Sequence, residues 1–478
     1  MSVIVVSFVG FLLIFLGVGT ISALVAKPTT ADYLLAGRAV KPWLAALSAV
    51  ATNNSGYMFV GMIGYTYLQG LSSIWLMVGW LMGDFLAARS IQQPLREMNK
   101  KREALSFVET IARWHGRNDK ALRFIGSVVT VIFLSIYAAA QLKAGSKALH
   151  VLFGWDSAAG IVIGGVMVVA YCMAGGIRAS IWTDAAQSLV MIAAMTLLCI
   201  AAVDAMGGLD AFYAGMQEID AHYASPWPSN QAWPGLPGAV LFILGWFGGG
   251  YGVIGQPQVM MRFMAVDDPN AFWRVRAYYY SWFAAFYAVT IGAGLGARLL
   301  LPATAGFDAE LALPSLALQL LPGVAVGLIV AGLFAATMST ADSLVISCTA
   351  SITRDIFPAL QRRYLVAKLV TLTVTAFSVG IALYAGSSVF WLVLIAWGLL
   401  ASAFAPLLTV NALGGTPSHA TSLAMMLGGI ATMLAWRFAG LSSLTYEILP
   451  GLLAGFAIYG IAWLAGRLRS APVRATSL

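Results

Sequence analysis

Of 478 residues, 60% are hydrophobic and only 10% charged, against roughly 25% charged in an average soluble domain, so a water-soluble globular fold is excluded. A net charge of +8 would direct a soluble protein toward nucleic acid; in so apolar a chain it matters instead which connecting segments hold it, and no nucleic-acid partner is expected. Cys172, Cys199 and Cys348 fall in apolar runs without metal-ligand spacing and read as buried thiols, neither disulfides nor ligands.

The first apolar run, 3–26, has no basic residue before it and exceeds the roughly 7–15 residues of a signal-peptide core, so it reads as a retained transmembrane helix. Runs of about 20 residues, enough to cross a bilayer, follow near 43–68, 71–91, 124–149, 157–176, 182–205, 237–260, 278–301, 323–350, 365–386, 389–412, 420–437 and 448–466. The expectation is an all-α polytopic membrane protein of about 13 transmembrane helices. An odd number puts the termini on opposite sides. With the N-terminus outside, all of the 27 Lys and Arg except Lys143, Lys147, Arg298 and Arg437 fall on the inner side, while 207–236, which has Asp210, Glu218 and Asp220 and no Lys or Arg, is external. That bias predicts N-terminus out and C-terminus cytoplasmic, in the plasma membrane, which in a bacterium is the inner one. The segment 92–118, with Lys100, Lys101 and Arg102, reads as a topology determinant and solvated linker, with anionic lipid as the alternative ligand.

Two spans are unlike ordinary helices. The second holds Ala51-Thr52-Asn53-Asn54-Ser55-Gly56, five weak helix formers after an alanine inside an apolar run. The seventh holds glycines 248, 249, 250, 252 and 255 before Gln256 and Pro257. Both are expected to break, exposing carbonyls that are tolerated at this depth where they line a wet cavity or are buried in protein. Each opens a block of five spans, and an odd block length inverts the second copy, so paired broken helices point to a midplane site in a secondary transporter. The organisation expected is an N-terminal helix and loop (1–41), a first five-helix repeat (42–206), an external loop (207–236), a second five-helix repeat (237–412), and two last helices with a short tail (413–478).

The ninth span carries the polar column. Helical spacing puts Ala336, Ser339, Thr340 and Ser343 on one face with Asp342 beside them. Hydroxyls in hydrocarbon serve either close helix packing or cation ligation; an ionisable residue at that depth favours function. The fourth span places Tyr137 with Ser135 and Gln141 in the corresponding position. His115, His150, His222 and His419 are scattered with no nucleophile or metal spacing, so no enzyme and no cofactor is expected.

These residues resemble the sodium:solute symporters, a family that includes bacterial proline symporters. The resemblance is carried, in family order, by Asp32-Tyr33-Leu34-Leu35-Ala36-Gly37-Arg38, residues 51–56, Trp182-Thr183-Asp184, Gly255-Gln256-Pro257 with Arg262-Phe263-Met264-Ala265, and residues 336–340 with Thr353-Arg354-Asp355. It implies an inverted-repeat core of five plus five helices and a sodium-coupled symporter. The implied sodium ligands are the carbonyls of Ala51, Asn54 and Ala336 and the hydroxyls of Ser339 and Thr340; five oxygens without an obligatory carboxylate suit a monovalent cation better than calcium. A second cation would match onto Asp184, Ser339, Asp342 and Ser343, although Asp342 stands where members with that site carry a hydroxyl; there, either a second cation or a proton is implied. The implied solute pocket is Tyr57, Tyr137, Trp246, Gln256 and Pro257, with Tyr57 in place of a tryptophan and Asn53 in place of an aspartate of the proline members. The implied cargo is an amino acid such as proline, with pantothenate, other carboxylates and sugars as alternatives. Proton coupling on the same fold is the nearest rival mechanism. A sensory module is the more remote one, since the chain stops about ten residues beyond its last helix.

Overall fold

The computed structural model describes residues 3–228, 231–301, 306–360, 363–384 and 388–470. Arg362 and Arg474, two of the inner-side basic residues, lie outside them. The described chain is helical, with an isolated bridge between Val40 and Val266. It runs through α1 (Val3–Ala23), α2 (Thr30–Leu35), α3 (Pro42–Gly56), α4 (Ile63–Gln69), α5 (Ile74–Lys101), α6 (Phe107–Ala112), α7 (Lys120–Phe153) and α8 (Ser157–Ala205). After α9 (Leu209–Ile219) and α10 (Ala221–Ala224) come α11 (Gly235–Tyr251), α12 (Pro257–Met264), α13 (Phe272–Leu300), α14 (Ala312–Leu320) and α15 (Gly323–Ala350). The last helices are α16 (Tyr364–Tyr384), α17 (Val389–Ala412), α18 (His419–Phe438) and α19 (Ile448–Ser470).

Among the described residues, 11 stretches are long and apolar enough to cross a membrane. One of them, Pro42–Lys101, turns at Gly70 (φ 74°) between α4 and α5. Helix α8, at 49 residues, would measure roughly 74 Å if straight, far more than a bilayer core of about 30 Å; it breaks at Gly176 (φ 59°). A side chain is excluded at Gly176 twice over, because a Cβ there would also lie 2.5 Å from the Tyr33 carbonyl oxygen. The fifth and sixth expected spans are thus one kinked helix whose second half begins at 176 instead of 182.

Helices α15 and α17 form the centre: 83% and 94% of their apolar windows are buried, against 17% for α1. Around them α5 and α11 approach closely, since glycines let backbones meet where lipid provides no hydrophobic drive between helices. Residues 248–250, expected to break their helix, stay helical for this reason: Gly250 packs on the backbone of Trp80, and the break falls later, in the 3₁₀ turn Gly252–Gly255 ahead of Pro257.

The solvated linker expected at 92–118 is corrected to a packed corner. Helix α5 continues through Pro94 to Lys101 with Gln92, Arg96 and Asn99 buried. Arg96 Nε donates to the Val266 carbonyl (2.6 Å), and Asn99 Nδ2 donates to the Ala104 carbonyl (2.9 Å) and to Thr110 Oγ1 (3.0 Å). Loop carbonyls that no helix satisfies take up these polar side chains, which is why a charged composition coexists with burial.

Candidate functional site

Helix α3 fails where its composition predicts. Ser55 adopts φ 49°, ψ −169°, a conformation that costs a non-glycine residue on the order of 1–3 kcal/mol, and a π-helical turn, Tyr57–Met62, follows. Neighbours hold the break in place. The Gly56 N–H donates to Gln141 Oε1 of α7 (2.8 Å), and Ser55 Oγ lies 3.2 Å from the Tyr137 hydroxyl. A Cβ at Gly56 would sit 2.6 Å from Thr337 Cγ2 of α15 and 2.9 Å from Ala144 Cβ of α7, so the broken strand of backbone is wedged between two helices.

Of the expected sodium ligands, Ala51 and Asn54 lie on α3 and Ala336, Ser339 and Thr340 on α15; the two helices pack together and all five residues are buried. Several polar atoms here lack protein partners: Thr340 Oγ1, Thr52 Oγ1 and both side-chain polar atoms of Asn54. Each would cost on the order of 1–3 kcal/mol if left unsatisfied. A hydroxyl and carbonyls with free lone pairs fit a hard monovalent cation, and among the described residues no group of three or more His, Cys, Asp or Glu offers a site of another kind.

One turn below, the structure brings Asp184, Asp342, Ser339 and Ser343 into one cluster and adds three residues that sequence reasoning did not assign to it. Ser48 Oγ donates to Asp184 Oδ2 (2.5 Å), and Ser339 Oγ donates to Asp184 Oδ1. Asp342 Oδ1 accepts from Ser180 (2.9 Å) and Ser343 (3.0 Å). Into the middle reaches Arg262 of α12, with no exposed side-chain surface. Its Nη2 lies 3.4 Å from Asp184 Oδ2, 3.0 Å from Ser180 Oγ and in hydrogen-bond contact with Ser343 Oγ, while Nε donates to Ser48 (3.2 Å) and Nη1 to the Gln258 carbonyl (2.8 Å). A guanidinium therefore stands among the oxygens a second cation would use.

Above the break the aromatics assemble. Tyr57 stacks between Trp80 (6.0 Å between ring centroids) and Phe390 (5.5 Å). Trp246 contacts Tyr65, Trp80 and Tyr446, and Trp80 contacts Trp397. Trp246, Phe390 and Tyr446 lie against a cavity of about 550 Å³ that Gln69, Gln231 and Thr445 also line. Beneath it Tyr57 and Tyr137 are buried, and the Tyr57 hydroxyl, Trp80 Nε1 and Gln141 Nε2 have no partner. Apolar walls with a few unpaired polar groups are what a small-solute pocket presents. Gln256 and Pro257 do not line this cavity: Gln256 Nε2 donates to the Trp397 carbonyl (2.9 Å), tying the α11–α12 break to α17, and Pro257 starts α12.

Trp80, Phe390, Trp397 and Tyr446 carry no motif and were missed for that reason. Arg262 lies inside the Arg262-Phe263-Met264-Ala265 motif, yet by residue type it reads as one more inner-side basic residue. Asp84, buried on α5, offered the same signal as Asp342, an ionisable residue within an apolar run.

Known proteins share the family and the fold. The high-affinity proline transporter PutP of Bacillus subtilis is 28% identical over 433 residues, covering 88% of this chain and 90% of that protein. The sodium/proline symporter of Escherichia coli is 27% identical over 458 residues, covering 93% and 89%. Among solved structures, a Na+-coupled sialic acid symporter in a substrate-bound outward-open state superposes with a TM-score of 0.81 at 20% identity, covering 100% of both chains. A nucleobase-cation-symport-1 family transporter in a closed conformation gives 0.60 at 16%, covering 92% of this chain and 96% of that one; at these identities the likeness is one of fold. Residues 33–413 match the family description sodium:solute symporter, and the chain belongs to that family.

Proposed function

We propose that this chain imports a small amino acid, proline foremost, with one sodium ion per solute. The observation that carries the reading is the wedge itself: a helix broken at Ser55, packed on α15, with Thr340 Oγ1 and the Asn54 side chain buried and unpartnered. Sodium is bound by the carbonyls of Ala51, Asn54 and Ala336 and the hydroxyls of Ser339 and Thr340. Proline sits above it, its apolar ring against Tyr57, Trp80 and Trp246 and its charged ends near Ser55, Tyr137 and the free Gln141 amide. Relatives named as proline transporters support this cargo. Arg262 supports a single coupling cation, because a fixed positive charge already serves Asp184 and Ser343.

In this reading the core is two inverted five-helix repeats, 42–206 and 237–412, with the N-terminus outside and the C-terminus cytoplasmic. Sodium entering from outside tightens the break in α3 against α15 and preforms the solute site, and the loaded protein rocks to face inward. Each net charge carried inward gains about 2.3 kcal/mol per 100 mV.

The test is proline uptake into proteoliposomes with sodium on the outside, or with potassium in its place at fixed pH. Sodium should accelerate uptake, and Ser339→Ala or Thr340→Ala should raise the half-saturating sodium at least about tenfold with protein levels unchanged. Uptake that proceeds equally in potassium and responds to pH alone would make the coupling ion a proton. Sodium-dependent thermal stabilisation by a vitamin or sugar but not by proline would change the solute.

A further inference from the structure

Asp84 is a carboxylate in the middle of α5 with no exposed surface. Its hydrogen-bond partners are all neutral. Oδ1 accepts from the Tyr280 hydroxyl (2.8 Å), and Oδ2 accepts from the Tyr279 hydroxyl (2.8 Å) and from Asn53 Nδ2 (3.3 Å). Asn53 Nδ2 also lies 2.5 Å from the Tyr279 oxygen. The contrast with Asp184 is sharp, since that carboxylate has Arg262 beside it. Of the elements packed around Asp84, α3 offers Asn53 and α13 offers Tyr279 and Tyr280. Tyr287 of α13 also faces Asp84, and Arg276 acts on Tyr280 and stands near Arg89 of α5. Among the described residues no Lys, Arg or His forms an ion pair with Asp84.

Three donors converging on two oxygens serve an ionised carboxylate, yet an ion buried in hydrocarbon without a counter-charge is costly. The missing charge has one natural source. Asn53 belongs to the broken segment of α3, between the carbonyls assigned to sodium at Ala51 and Asn54, and Asp84 fixes how its amide lies. With Nδ2 committed to Asp84 and Tyr279, Oδ1 is left buried and without a partner.

We propose that Asp84 is the fixed counter-charge of the coupling cation, a positioning residue that acts through Asn53. The inference rests on the sodium site proposed above and adds to its neutral oxygens the negative charge they lack. Two unit charges within about 10 Å at an effective dielectric near 20 attract strongly enough to change an equilibrium more than about tenfold. Sodium binding then neutralises Asp84 at the same step that tightens α3 on α15, so the transporter without sodium retains an unbalanced charge that resists closure.

The experiment is a sodium titration of the purified, reconstituted protein without solute, read by tryptophan fluorescence, alongside sodium dependence of proline uptake. Asp84→Asn is expected to raise half-saturating sodium about tenfold or more in both readouts, Asp84→Glu to recover most of the affinity, and the Asn53→Asp/Asp84→Asn pair to restore it by moving the carboxylate one side chain inward. A merely structural Asp84 would lower protein yield and maximal rate while leaving half-saturating sodium unmoved. Should Asp84→Asn not fold, Asn53→Ala takes its place: it keeps the charge but frees it from the broken segment, so a smaller rise, about threefold or more, is expected. Half-saturating sodium within twofold of the parent in these variants, with Thr340→Ala still raising it, overturns the role of Asp84 and leaves the sodium site standing. If Thr340→Ala is silent too, the site reading fails and the proposal falls with it.

Discussion

A guanidinium with no exposed surface, bonded to Ser48, Ser180 and Ser343 and paired with Asp184, sets the charge balance of the cluster below the proposed sodium site. Two carboxylates, Asp184 and Asp342, share serine hydroxyls with it, and Ser339 connects the cluster to the proposed sodium ligands. Removing one member of such a buried group leaves the others uncompensated, at a cost of about 3–5 kcal/mol. Arg262→Gln should therefore do two things. The apparent melting temperature without sodium should fall, and sodium should now restore more stability than it adds to the parent, because the vacated oxygens accept a cation. Sodium activation of uptake should turn from hyperbolic to sigmoid as a second ion enters. A curve that stays hyperbolic while stability falls would make Arg262 a brace only. None of this was readable from residue type, since an arginine five positions before Asp267 looks like any inner-side basic residue until α12 folds it inward.

At the scale of elements, sequence composition locates the weak points of helices better than their partners. The break in α3 was legible because five poor helix formers in a row, Thr52 to Gly56, have no other explanation in an apolar run, and the column on α15 was legible because helical spacing is enough to build it. The glycines of α11 were legible only as glycines. They remain helical because their task is set by α5, some 170 positions earlier in the chain, and no local pattern encodes that approach. The same holds for Gln92, Arg96 and Asn99, whose burial depends on loop carbonyls at Ala104 and Val266. The α5–α11 contact yields a sharp test. A Cβ at Gly83 would lie 2.0 Å from the Phe247 carbonyl oxygen and 2.6 Å from the Tyr251 nitrogen, both backbone atoms that cannot swing away, whereas a Cβ at Gly332 in α15 meets nothing within 4 Å. Gly83→Ala should then forfeit at least the roughly 1–3 kcal/mol typical of overpacking and lower the detergent melting temperature, while Gly332→Ala should leave it unchanged or raise it slightly by favouring helix. Equal melting temperatures for the two variants would contradict the close approach of α5 and α11.

For the whole molecule, the polar and charged contacts divide between the two ends of the bundle. At the end that carries α9 and α10, cavities of about 280, 370 and 550 Å³ meet around Tyr65 and Gln69 and reach down to Trp246 and Phe390. At the other end an ion-pair cluster closes the way. Arg123 of α7 binds Asp355, after α15, at 2.7 Å and Glu109 of α6 at 3.3 Å. Ser106 donates to Asp355 at 2.6 Å, and Arg354 pairs with Glu109 at 3.5 Å. Cavities thus indent the aromatic end, where Lys147 also pairs with Asp308 and Glu310, and the ion-pair cluster fastens the other end beside a cavity of about 430 Å³; alternating access requires that clamp to release. Because α15 carries three of the five proposed sodium ligands and, at its end, half of the clamp, binding and release act on one rigid element and bias one equilibrium. Cys348, buried on α15 against Ser135 and the Val131 carbonyl of α7, reports on it. In a background with Cys172 and Cys199 replaced by serine, Asp355→Asn should raise the rate at which a water-soluble maleimide alkylates Cys348 from the clamped side by at least about fivefold, as expected if the broken pair shifts the open population by about 1 kcal/mol or more. Sodium should slow the reaction in the parent by favouring the clamped state, and should slow it less in Asp355→Asn, where that state has lost its main fastening. Labelling that is equally slow in both, with and without sodium, would mean that α7 and α15 do not part at this end during transport.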